Sequence, residues 1–218
     1  MRRFAPALLL LVAGPLVAQQ NVTARLDGRV PAAVAAAVRA LADTAAARGL
    51  PADPLVDKAI EGSAKAVPAE RIVAAVRLVL AQLDAAAGAI RLGRVAIPDA
   101  ETIEAGAFAL AAGLTGPQVT ALVQLSTAPY TPAATLRVAG TLAALGVPGT
   151  QTVELISETI RNGHAIADLA GLPGRVQAQM GRGQTPAQAA AGLARAAAAR
   201  AAAPGQSRPR GPENSRRP

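Results

Sequence analysis

Apolar residues recur along this chain at the 3.6-residue spacing of helices, in runs cut short by proline and glycine. The pattern is clearest from Gly49 to Leu83. Gly49-Leu50-Pro51 stops what precedes it, because glycine tolerates the left-handed conformation that ends helices and proline cannot continue one. Asp53-Pro54 restarts the chain, with Asp53 as the expected N-cap and Pro54 in the first helical position. Leu55, Val56, Ala59, Ile60 and Ser63 then share one face, with Asp57, Lys58, Glu61 and Lys65 off it. Glu61 and Lys65 form an i,i+4 pair in the favourable order, worth about 0.3 kcal/mol. Pro68 restarts the helix, and Ile72, Val73, Val76, Leu80 and Leu83 make the next stripe. Two such stripes bury each other only if the helices fold back, so the helical hairpin is the expected unit.

The same punctuation runs through the rest of the chain. Residues 19–29 read as a polar lead-in, and a helix from Val30-Pro31 carries Val34, Val38, Leu41 and Ala45 on one face until Gly49. The helix after Pro68 fades near Gly88, and Arg91 to Ile97 reads as a connector. Pro98-Asp99 opens a helix with Ile103, Ala107, Leu110 and Phe108 inward, closed by Gly113. Thr115 and Gln118 have capping-box spacing, as do Thr185 and Gln188. Between them, Pro129-Tyr130-Thr131-Pro132 recaps a helix with Leu136, Val138, Leu142 and Leu145 inward, stopped by Gly146. Thr150 is the expected cap of a helix with Val153, Ile156 and Ile160 inward, ending at Asn162-Gly163. The stretch from His164 to Gly183 is looser, interrupted by Gly171-Leu172-Pro173-Gly174, before an alanine-rich helix that ends before Pro204.

One breaker recurs: Gly49-Leu50-Pro51, Gly146-Val147-Pro148 and Gly171-Leu172-Pro173. A shift of 47 residues also lays Val67–Leu78 on Leu114–Leu125, with Ala74, Val76 and Leu78 matching Ala121, Val123 and Leu125. The expectation is an all-α fold of about seven or eight short helices over residues 30–203. Two arrangements stay open: stacked helical hairpins, or an irregular bundle whose helices simply end alike.

The two ends differ from this body. Arg2 and Arg3 precede an apolar run from Ala5 to Val17, and Leu16-Val17-Ala18 offers a small residue for cleavage. That is the pattern of a secretory signal peptide spanning 1–18, cut near Ala18. The apolar run is short of the ~20 residues a spanning helix needs. No later run reaches that length without a charge or a breaker, so the processed chain is expected to be soluble and periplasmic or secreted. No cysteine exists to carry a lipid anchor. Residues 204–218, PGQSRPRGPENSRRP, hold four arginines against Glu213, a net +3, and little to bury. Such a stretch is expected to be a disordered basic tail that can touch anionic surfaces.

Composition narrows the function classes. Cleavage after Ala18 removes two arginines and lowers the net charge from +8 to +6, half of it in the tail. Beyond residue 18 only Phe108 and Tyr130 are aromatic, which leaves few rings for stacking bases. Specific nucleic-acid binding is therefore not expected. Without cysteine, stability rests on packing alone. Alanine favours helix but buries little per residue, so a shallow core without cofactor-sized pockets is expected.

Candidate chemistry is sparse. The single histidine, His164, has Asp168 four residues on. Carboxylates pair at helical spacing as Asp57/Glu61, Glu101/Glu104 and Glu154/Glu158, a pattern that could bind a hard cation or share a proton. Ser63, Ser126 and Ser157 lack a nucleophile-elbow setting, and Gly181-Arg182-Gly183 lacks the preceding strand of a phosphate loop. No catalytic, cofactor or metal residue is assigned. The expected role is an exported binding or scaffold module of the cell envelope. Its working surface would lie near the Glu61–Lys65 corner, and its partner would be a protein or an anionic envelope polymer. The alternative is an enzyme using paired carboxylates with His164.

Overall fold

Helix ends organise this chain, and seven of them among the described residues close the same way. In the computed structural model residues 21–202 are described; the signal-like segment 1–18 and the basic tail 204–218 lie outside the described residues. A helical segment at residues 21–26 (α1) is followed by α2 (Ala32–Ala47), α3 (Asp53–Ala64), α4 (Ala69–Leu92), α5 (Ala100–Ala111) and α6 (Gly116–Leu125). Then come α7 (Pro132–Ala144), α8 (Gly149–Arg161), α9 (Ile166–Ala170), α10 (Leu172–Met180) and α11 (Pro186–Ala202).

At the end of α2, Gly49 takes φ +70°. The Gly49 N–H then donates to the Ala46 carbonyl, and the Leu50 N–H reaches back to the Ala45 carbonyl at 2.9 Å. This is the Schellman arrangement, which satisfies carbonyls that a helix end leaves unpaired. The same pair of bonds closes α3, α4, α5, α7, α8 and α10. The residue after the left-handed position turns inward: Leu50, Leu114 and Val147 are buried, and Val67 and Val95 are half-buried. Four of these corners end one helix and, two residues after the left-handed position, cap the next at Pro68, Thr115, Pro148 and Ala165. Two of the three breakers read from the sequence, at Gly49 and Gly146, form this corner, whereas Gly171 keeps φ −78° and leads straight into α10; the corner also forms without glycine, at Ala66 with φ 52° and Arg94 with φ 77°.

The contacts between helices run one or two places along the chain, with α9 and α10 counted together. Successive helices touch throughout, and α2 packs on α4, α4 on α6, α6 on α8 and α8 on α11. On the other side α5 packs on α7, the most extensive contact of the fold, and α7 on α10. A single aliphatic core threads between these two rows, with Leu55, Leu83, Ile90, Ile103, Leu136 and Ile156 each fully buried. Small residues let the rows close. A β-carbon on Gly106 of α5 would sit 3.2 Å from Ala86 Cβ and 3.0 Å from Ile90 Cδ1 of α4.

The structure departs from the sequence reading at several points. The supposed polar lead-in is helical at 21–26, and Val22 and Leu26 on its inner face are buried. Arg25 of the same segment bridges Asp53 and, at 2.5 Å, Asp57, so Asp53 serves as an ion-pair partner rather than an N-cap. Helix α4 runs past Gly88 to Leu92 because Ala86, Ala87, Ala89 and Ile90 continue its buried face. Phe108 is 44% exposed, its ring lying on Gly140. Pro148, not Thr150, precedes α8. Among the described residues the helices outnumber the seven or eight expected because the lead-in is helical and His164–Gly183 holds two. Pro173 falls in the first turn of α10, where no N–H is needed, and Leu172 beside it is buried. Helix α4 is long and apolar enough by length and composition to cross a membrane, but here α2, α3, α5 and α6 pack along it.

Candidate functional site

His164 is the natural starting point, and the α8 corner fixes it. The Gly163 N–H and the His164 N–H close that corner onto Ile160 and Thr159. The His164 carbonyl accepts a hydrogen bond from the Tyr130 hydroxyl, which ties the α6–α7 turn to the α8–α9 turn. The side chain is 17% exposed, with Nδ1 3.9 Å from Asp168 Oδ2. Asp168 lies in the first turn of α9 and is held in turn by Arg175 of α10. Arg175 Nη1 donates to Asp168 Oδ1 at 3.2 Å, and Nη2 donates to the Asp168 backbone carbonyl. The sequence pair His164/Asp168 is thus brought together, but its third neighbour is a cation rather than a second acid. Neither Tyr130 nor Arg175 was marked beforehand. Arg175 stands on the next helix, so no helical spacing within one element pointed to it.

The carboxylate pairs lie elsewhere and are largely answered by cations. Asp57 meets Arg25, Glu101 meets Arg137 at 2.9 Å, and Glu158 lies 4.0 Å from Arg161. Glu61 sits between Lys65 at 2.5 Å and Lys58 at 3.0 Å. Hydrogen bonds from Lys65, then Lys58, lower its carboxyl from the ordinary value to about 2. Glu104 behaves oppositely: partial burial first, then the negative charge of Asp53, raises its pKa, and Arg137 only partly offsets this. Among the described residues no three His, Asp or Glu side chains gather into a group that could hold a metal ion.

At the Glu61–Lys65 corner Glu61, Ala64 and Lys65 are exposed, while Gly62 and Ser63 pack inward. A β-carbon on Gly62 would meet Ile72 Cγ1 at 2.8 Å, and Ser63 Oγ is buried against the same junction. The larger concavity lies between α4 and α6. It is an open groove of about 530 Å³ walled by Ala85, Gly88, Ala89 and Leu92 on one side and Gly116, Pro117, Thr120 and Ala121 on the other. The Thr120 hydroxyl donates to the Ala89 carbonyl across its floor at 2.9 Å.

These features define an all-helical protein: 75% of the described residues are helical, and no strand occurs among them. Compared with known proteins, it matches no family model, no curated protein and no solved structure.

Proposed function

We propose that the protein is an exported scaffold, a short stack of helical hairpins that presents its outer faces to a partner in the cell envelope. The observation that carries this reading is the restriction of helix contacts to first and second neighbours, which is how hairpin-repeat scaffolds are built. Such stacks expose long helical faces for a partner while the core stays closed. The leader at 1–18 supplies export, and the net +3 tail at 204–218 supplies attachment to anionic envelope material. An enzyme built on paired carboxylates with His164 is the competing reading. It is weakened by the neighbour that Asp168 takes, since Arg175 neutralises that carboxylate instead of sharing a proton with it.

The test has two parts. N-terminal sequencing of protein recovered from the periplasm or medium should begin at Gln19; protein that stays in the cytoplasm with its leader intact removes export from the reading. Sedimentation with phosphatidylglycerol vesicles should retain the processed chain at low salt and release it at high salt, and a chain ending at Ala203 should bind less. Equal retention of the two chains removes the tail.

A further inference from the structure

We propose that the cavity between α8, α10 and α11 binds the carboxylate head of a small aliphatic acid. This goes beyond the scaffold reading and does not depend on export. The cavity is small, about 50 Å³, and its wall includes Leu172, Leu193 and Ala197 with His164, Arg175 and Arg200. A buried water needs roughly 10–15 Å³ of such space, so a group of a few heavy atoms fits.

Two polar atoms mark where that group would sit. His164 Nε2 and Arg175 Nε are both buried and have no hydrogen-bond partner among the described residues. Buried nitrogens of this kind are nearly always satisfied in folded proteins, so their pairing is a question the cavity must answer. Arg175 cannot turn away to solve it, because both its Nη atoms are engaged by Asp168. Of its three nitrogens, only Nε is then without a partner. On His164, Nδ1 lies 3.9 Å from the Asp168 carboxylate, and Nε2 donates only when the imidazole carries both protons, the form a bound carboxylate requires. The Thr159 hydroxyl, also on the wall, is already spent on the Leu155 carbonyl at 2.8 Å.

Charge points the same way. Asp168 balances Arg175, and Arg200 on the rim has no ion pair among the described residues. With the imidazole of His164 doubly protonated, it and Arg200 give the pocket a positive charge that a carboxylate head offsets. The aliphatic part of the wall suits a short hydrocarbon tail and offers nothing to the outer oxygens of a phosphate. A monocarboxylate with a short chain meets all of these conditions, with its oxygens on His164 Nε2, Arg175 Nε and Arg200.

His164 is the only histidine in the chain, so its ring nitrogens give an unambiguous signal. The experiment is a titration of the ¹⁵N-labelled full chain with propionate, followed by long-range ¹H–¹⁵N spectra of the imidazole. Inorganic phosphate and chloride at equal ionic strength form the other arms. Propionate should shift Nε2 saturably and bind more tightly than phosphate or chloride. Arg200→Gln, at an exposed position that leaves the fold intact, should weaken propionate several-fold. Absence of a saturable shift, equal responses to all three anions, or an unchanged affinity in Arg200→Gln would each overturn the proposal.

Discussion

Replacing Gly140 by alanine and, separately, Gly88 by alanine makes the same chemical change in two helix interiors, and the structure predicts opposite outcomes. Each substitution removes the glycine penalty of a helix interior, a gain of about 0.5–1 kcal/mol. At Gly88 of α4 the new methyl meets nothing within 4 Å, so the gain should appear whole. At Gly140 of α7 it would lie 2.5 Å from Phe108 Cδ1, 2.6 Å from Phe108 Cε1 and 3.1 Å from the Ala109 Cα of α5. The ring can swing outward at the loss of its packing, but the backbone carbon cannot, so α5 and α7 must separate along the largest interface of the fold. Overpacking of this kind costs about 1–3 kcal/mol, which outweighs the propensity gain and leaves a net loss of about 0.5–2 kcal/mol. Urea unfolding followed by far-ultraviolet circular dichroism reads both variants against wild type. In a chain of this size each kcal/mol should also move the thermal midpoint by about 2–4 °C. Placing Gly140→Ala in a Phe108→Ala background removes two of the three close contacts, and the penalty should shrink. A Gly140→Ala variant as stable as Gly88→Ala would refute the close approach of α5 and α7.

Other expectations concern the helix ends and the charged groups. Ala66→Gly and Arg94→Gly place glycine at positions with φ 52° and 77°, and each should raise stability by about 0.5–1 kcal/mol in the same unfolding assay, whereas Gly146→Ala should lower it. Asp99→Ala should cost about 1 kcal/mol, because the Asp99 carboxylate caps α5 by accepting the Thr102 N–H at 2.7 Å. Those bonds with Thr102 lower the Asp99 pKa from 3.8, so the difference should be full above pH 3.8 and fade as pH falls through the folded value. Glu104→Gln should stabilise at neutral pH. Its carboxyl is raised above 4.5 in the fold, so folding disfavours the charged form, and thermal melts should show the benefit disappearing as pH drops below 4.5.

Much of the fold is visible in the sequence because its boundaries are local. The capping boxes form as read, with the Thr115 N–H on Gln118 Oε1 at 2.9 Å and the Thr185 N–H on Gln188 Oε1 at 3.0 Å. The stripes Leu55/Val56/Ala59 and Ile72/Val76/Leu80/Leu83 are buried as the 3.6-residue spacing requires. What escaped reading depends on partners distant in sequence. Nothing near Val22 and Leu26 says that their segment docks, because the docking uses Arg25 on an aspartate 28 residues away. Alanine hid the true length of α4: Ala86, Ala87 and Ala89 look neutral in sequence but are buried, with Ala86 closing on Gly106 of α5. Ala66 and Arg94 adopt a conformation that their side chains disfavour, since the corner bonds and the inward Val67 and Val95 outweigh the local cost. The candidate site was half legible. His164 and Asp168 stand one helical turn apart in sequence, but Tyr130 and Arg175 reach them across turns that only the folded chain brings close.

The ordering of helices into a stack, where each makes its main contacts with its first and second neighbours when α9 and α10 count as one, is tested most directly by methyl–methyl nuclear Overhauser contacts in Ile-, Leu- and Val-labelled protein. Contacts are expected between α2 and α4, α4 and α6, and α6 and α8, linking residues such as Val76 and Leu122 to their own tiers of the core. Strong contacts joining methyls of α2 or α3 to those of α8, α10 or α11 would contradict it.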